Sequence, residues 1–232
     1  MMFRYRLIRV AMHVVRMLLL ARLRVYGREH IPAAGPYIVV LNHTSVADTP
    51  VLLMSFPVQR WRFFAVEKWQ THPIYGPIMG WLGAIYVKRD EIDRGQLRQA
   101  LAALADGQVF GLAPEGTRSE TGEMRAAKDG AAYLASRAQV PIVPVGLVNL
   151  DVLFRNVRRL RITTMEVRVG RPFHLPDLGR RVRTQDLPAY TELIMAHIAA
   201  QLPPRYHGDY AGSPALAALR RGEDPWPFCK RD

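Results

Sequence analysis

The 232-residue chain carries 32 Lys and Arg against 20 Asp and Glu, a net charge of +12. That balance favours an anionic surface or a phosphate-bearing partner, and the length suits one domain, with appendages, around a sizeable core. The single cysteine, Cys229, excludes a disulfide framework and a cysteine metal cluster, and no run of about 18 or more apolar residues offers an ordinary transmembrane helix. Arginines interrupt the apolar residues at the start, so it does not read as a clean signal peptide.

Residues 3–25 have helical periodicity. Phe3, Leu7, Val10, Val14, Met17, Leu18 and Ala21 fall on one side, and Arg6, Arg9, His13, Arg16 and Arg24 on the other, with no acid before Glu29. This is the pattern of a helix lying in a membrane interface with its cations toward anionic headgroups, although Arg4 and Arg22 intrude near the apolar side. The alternative is an amphipathic helix packed on the core.

A turn segment, residues 27–35, leads to Tyr37–Leu41, a short apolar run that reads as a buried strand. It stops at Asn42-His43. Ser45 is a candidate helix N-cap, with Asp48 at capping-box spacing and Pro50 suited to an early helical turn. His43 therefore sits where a strand gives way to a helix, the usual place for chemistry in open α/β folds. On a regular helix, positions five apart differ by about 140°, so His43 and Asp48 meet only if His43 lies in the turn and Asp48 at the helix start. A carboxylate on one imidazole nitrogen fixes the tautomer and leaves the other nitrogen as a base. The other reading is that Asp48 only caps the helix and His43 only bonds backbone. This stretch alone leaves both open.

Farther on, the helix ends at Phe56-Pro57, and Trp61–Val66 reads as a strand. Residues 67–83, rich in Gly, Pro and aromatics, read as a short helix or an irregular loop. A strand over Ala84–Val87 runs into Lys88-Arg89-Asp90. A helix over Arg94–Ala105 closes at Gly107, and a strand over Val109–Ala113 runs into Pro114-Glu115-Gly116-Thr117-Arg118-Ser119. A helix over Lys128–Ala138, a strand over Pro141–Val148, an edge strand over Met165–Val169 and a helix over Asp186–Gln201 complete the pattern. The residues after Pro203-Pro204 have weak periodicity. Strands alternating with helices predict an α/β fold, a mixed, mostly parallel sheet flanked by helices.

Gly116 permits an unusual turn or the close approach of a ligand. Arg118 offers a planar fork that matches phosphate, and Thr117 a hydroxyl and an N–H. Glu115 can orient Arg118 or accept from a substrate hydroxyl. The plainer reading is a polar turn with an exposed salt bridge, and a solvated cation at Arg89.

Taken in order, Asn42-His43 with Asp48, Gly83-Ala84-Ile85 ending in Arg89, Pro114 to Ser119, and Val140-Pro141-Ile142-Val143-Pro144-Val145 form a set. This set resembles the glycerolipid acyltransferase family, typified by lysophosphatidic acid acyltransferases, over about residues 25–175. The resemblance implies His43 as general base, Asp48 as its orienting partner, and Arg89 and Arg118 as ligands of an acceptor phosphate. It implies Glu115, Gly116 and Thr117 as the acceptor motif, with Pro144 matching a fourth, apolar motif. Ala113 stands where the family usually has phenylalanine, which changes pocket packing or acceptor choice but removes no catalytic group.

The reaction implied is transfer of a fatty acyl group from acyl-CoA or acyl carrier protein to a lysophospholipid hydroxyl. No metal and no further cofactor is called for. The division implied is an amphipathic helix over 1–26, an acyltransferase domain over 27–204 and a tail over 205–232, peripheral on the cytoplasmic face of the membrane. Two other classes stay open. One is an enzyme of the same fold acylating another hydroxyl, such as a lyso-aminolipid. The other is a non-catalytic basic protein binding membrane or nucleic acid, though aromatics do not interleave with the basic residues as a nucleic-acid stacking platform requires. Thr44, Ser45 and Cys229 lack the setting of a nucleophile.

Overall fold

The computed structural model describes residues 2–18, 21–73, 75–88 and 93–229, with the side chains of residues 2–5 left aside. Helix α1 spans Met2–Leu18 and strand β1 spans Ala21–Tyr26. Strand β2 (Tyr37–Leu41) leads into α2 (Asp48–Ser55), then β3 (Trp61–Val66), α3 (Tyr75–Leu82) and β4 (Ala84–Val87). Helix α4 (Arg94–Ala105), β5 (Val109–Leu112), α5 (Gly130–Ala138) and β6 (Ile142–Val148) follow. The chain ends with α6 (Leu153–Arg158), β7 (Thr163–Val169), α7 (Leu187–Ala199) and α8 (Pro214–Arg221).

The strands form one sheet in the order β1-β7-β6-β2-β5-β3-β4. Every neighbouring pair is parallel except β6 with β7. The mixed, mostly parallel sheet flanked by helices is therefore as the sequence predicts. β2 lies at its centre and is buried along its whole length, which is why it reads as an unbroken apolar run. Ile38 and Val40 enter one core layer, under α4, α5, α7 and α8. Tyr37, Val39 and Leu41 enter the other, under α1, α2 and α3. Pro144 is tolerated inside β6 because its carbonyl accepts from Gly170 N (2.8 Å), just past the last β7 pair. Its missing N–H faces that same side, beyond the last β7 pair, so the bonds of β6 to β2 are untouched.

Three expectations are corrected. The helix expected over 3–25 ends at Leu18, and Ala21–Tyr26 pairs with β7 as an edge strand. Arg22 and Arg24 are exposed there and alternate with Leu23 and Val25, which pack against the core. Arginines on an edge strand discourage pairing with another chain. β7 is consequently an interior strand and not an edge. Finally, residues 205–229 are not an appendage, because Tyr206, Tyr210, Ala215, Leu216 and Cys229 are buried in the first core layer.

The orientation of α1 also differs from the expected one. Arg9 and Arg16 turn toward the protein. Arg9 donates to the carbonyls of Phe56 and Met54 (both 2.9 Å), and Arg16 to that of Ala21 (2.8 Å). Ile8 and Met12 pack against the core beside them. The apolar row Leu7, Val10, Val14, Met17 and Leu18 faces outward, with Leu18 76% exposed. Among the described residues no helix is long and apolar enough to cross a membrane.

Candidate active site

β2 ends at the centre of the sheet, and the buried Asn42 fixes the chain as it leaves. Its amide donates to the carbonyl of Leu147 (3.1 Å) and accepts from Leu147 N (2.8 Å), tying β2 to β6. His43 comes next, in the turn, and Asp48 is the first residue of α2. His43 Nδ1 and Asp48 Oδ2 lie 2.7 Å apart. The same oxygen accepts from Thr44 N (2.8 Å) and Ser45 N (2.9 Å). Asp48 thus holds the turn's backbone and orients the imidazole at once, so the reading in which Asp48 only caps and His43 only bonds backbone does not hold. Ser45 is not the helix cap. Its hydroxyl accepts from Ala47 N, and the carboxylate half of the capping box runs from Asp48 back to Ser45 N.

Asp48 is buried, and the His43 side chain is 30% exposed. With Nδ1 engaged by the carboxylate, Nε2 is the nitrogen left to meet a substrate.

The stretch after β5 grips the backbone of His43 from both sides. Glu115 Oε1 accepts from His43 N (3.0 Å), and Ser119 N donates to His43 O (2.8 Å). The other carboxylate oxygen of Glu115 accepts from Arg125 N (3.0 Å). Glu115 is buried, and burial raises its pKa to about 7, against the pull of those two N–H groups and of His43. It closes this loop, with each carboxylate oxygen accepting from a backbone N–H. Gly116 has φ +70°, a left-handed conformation that favours glycine. Thr117 is partly exposed and Arg118 is exposed, adjoining the Ser119 clamp on His43. Arg89 lies outside the described residues.

Two contributions were not legible in the sequence. Lys128 reaches Gly116, where an added Cβ would stand 3.9 Å from its ammonium. The C-terminal segment holds the loop from behind. Met124 N donates to Tyr206 O (2.8 Å), Ala126 N to Asp209 (2.7 Å) and Ala127 N to the Tyr210 hydroxyl (3.1 Å). No local pattern announces either, because each pairs positions remote in sequence.

Residues 22–148, more than half of the chain, match the family model described as Acyltransferase. The chain belongs to the acyltransferase family. Among similar proteins is the Bos taurus 1-acyl-sn-glycerol-3-phosphate acyltransferase alpha, 30% identical over 210 residues, covering 78% of this chain and 70% of that protein. The Bacillus subtilis 1-acyl-sn-glycerol-3-phosphate acyltransferase is 24% identical over 178 residues, covering 75% and 85%. The crystal structure of the 1-acyl-sn-glycerophosphate (LPA) acyltransferase PlsC from Thermotoga maritima superposes with a TM-score of 0.65 at 25% identity, covering 81% of this chain and 75% of that one. This acyltransferase shares that α/β fold, and it transfers an acyl group to a hydroxyl oxygen.

Proposed function

We propose that the enzyme acylates the free hydroxyl of 1-acylglycerol 3-phosphate, giving phosphatidic acid, with acyl-CoA or acyl carrier protein as donor. The observation that carries this reading is His43, with Nδ1 on a buried carboxylate and its backbone clamped by the Glu115–Ser119 loop. His43 Nε2 takes the hydroxyl proton as the oxygen attacks the thioester carbonyl. Asp48 holds the tautomer and stabilises the imidazolium. The tetrahedral intermediate then expels the thiolate, which leaves as thiol with the proton from the imidazolium. Neither Thr44, Ser45 nor Cys229 forms an acyl-enzyme in this scheme. Cys229 is buried, and burial pushes its thiol up to about 12.

Arg118, with Arg89, meets the acceptor phosphate, and the closely placed Lys128 adds positive charge at Gly116. A lysophospholipid lives in a bilayer, so the site has to be held at one. The bare outer face of α1 supports a peripheral placement at a membrane surface. The relatives' printed substrate supports the choice of acceptor. The test is thiol release from an acyl thioester across a panel of lyso-acceptors with and without phosphate. Release that depends on 1-acylglycerol 3-phosphate supports the reading. Release that is fastest with a phosphate-free hydroxyl moves the enzyme to another acceptor, and release indifferent to acceptor removes acyl transfer to a lipid.

A further inference from the structure

β6 runs parallel to β2, and β7 runs back against β6. The connection between them, residues 149–162, therefore turns at the sheet end where β2 delivers His43. β1 is parallel to β7 with Ala21 opposite Thr163, so the last turn of α1 comes in at that end too.

The inner side of this connection is ordinary core. Leu153 is buried, Val157 packs on the second layer, and Asn156 donates to the Thr163 hydroxyl (3.1 Å). Its outer side is not. Phe154, Leu160 and Ile162 are exposed, Leu160 at 83%. Leu160 has φ +51°, held by bonds from Leu160 N to Val157 O (3.0 Å) and from Arg161 N to Asn156 O (2.9 Å). The left-handed region disfavours leucine, so this turn displays an apolar side chain in water with no local advantage.

Arg155, Arg158, Arg159 and Arg161 stand exposed among these side chains, and their guanidiniums have no partner among the described residues. No acid occurs between Asp151 and Glu166. Arg9 and Arg16 of α1, by contrast, hold carbonyls of the protein itself.

We propose that the β6–β7 connection is a second docking element, built for an anionic lipid bilayer. Phe154, Leu160 and Ile162 enter the headgroup boundary beside the bare face of α1, and the four arginines match the anionic headgroups. A second copy of this chain does not suit the surface, since it would set arginines against arginines. The lipid acceptor proposed above gives the surface its use, but the docking needs no turnover and is measured without it.

The experiment is co-sedimentation of the full chain with vesicles of phosphatidylcholine alone or of equal parts phosphatidylcholine and phosphatidylglycerol, at low and high salt. Replacing all four arginines (Arg155→Gln, Arg158→Gln, Arg159→Gln, Arg161→Gln) should lower partitioning onto the mixed vesicles by at least about tenfold at low salt and change little at high salt. Leu160→Asn should weaken the salt-resistant part while keeping or raising thermal stability, because asparagine accepts positive φ. Both variants should turn over detergent-dispersed acceptor at the normal rate. Unchanged partitioning of both variants overturns the proposal. So does a loss seen only on substituting the outer face of α1, or a concentration-dependent dimer without vesicles that Leu160→Asn dissolves. If the unmodified enzyme turns over no lyso-acceptor, the acyl-transfer reading fails while the vesicle result still stands.

Discussion

Three donors converge on one oxygen of Asp48, and one of them is the imidazole. Asp48→Asn keeps an oxygen there but removes the charge that stabilises the imidazolium, so kcat should fall by about 10²-fold or more with a smaller change in KM. A fall in thermal stability that matches the lost turnover would instead assign Asp48 to the turn alone. Arg118 has no structural duty among the described residues, so Arg118→Ala should leave stability and donor KM alone. It should cost the acceptor's specificity constant about 1.5–3 kcal/mol, with Arg118→Lys restoring only part. Steady-state kinetics in each substrate separates these. Glu115 has a folded pKa of about 7 against 4.5 for the free side chain, so the folded protein binds the extra proton between those values. Stability therefore falls as pH rises through that window, by on the order of 3 kcal/mol. Denaturant titrations at both ends of the window should show this slope in the parent protein and not in Glu115→Gln.

At the scale of elements, the parts legible in the sequence are those whose environment is uniform. β2 and β3 read correctly to the residue, since an interior strand of a parallel sheet is a mostly apolar run. β1 was hidden because its alternation, Ala21-Arg22-Leu23-Arg24-Val25, continues in phase with the helical stripe of α1. The intruding Arg22 was the sign that the period had changed from helix to strand. Missing β1 made β7 look like an edge. The His43–Asp48 pair was readable because it is local, whereas the grip of Asn42 on β6 and of Glu115 on His43 joins distant strand ends that only the sheet brings together. A consequence concerns truncation. A chain beginning at Gly27 loses β1 as well as α1 and bares the edge of β7, so it should unfold at lower temperature and aggregate. Val10→Ser with Val14→Ser, on the exposed face of α1, should leave the melting temperature unchanged. Thermal scans and light scattering of the two proteins compare these outcomes.

Across the whole molecule, the sheet sends β2, β5 and β6 to one end, and with them His43, the Glu115–Ser119 loop and the arginine-bearing connection before β7. The C-terminal segment closes over the stretch from Met124 to Ala127, which follows the Glu115–Ser119 loop that clamps His43. Exposed arginines stand in the connection before β7 and along the edge strand. In the proposed reaction His43 Nε2 removes the proton of a lipid hydroxyl during acyl transfer. The most direct measurement is thiol release from an acyl thioester, with 1-acylglycerol 3-phosphate present, by His43→Ala protein whose melting temperature equals that of the parent. The account predicts a loss of at least about 10²-fold in turnover. Near-normal turnover by that folded variant would contradict it.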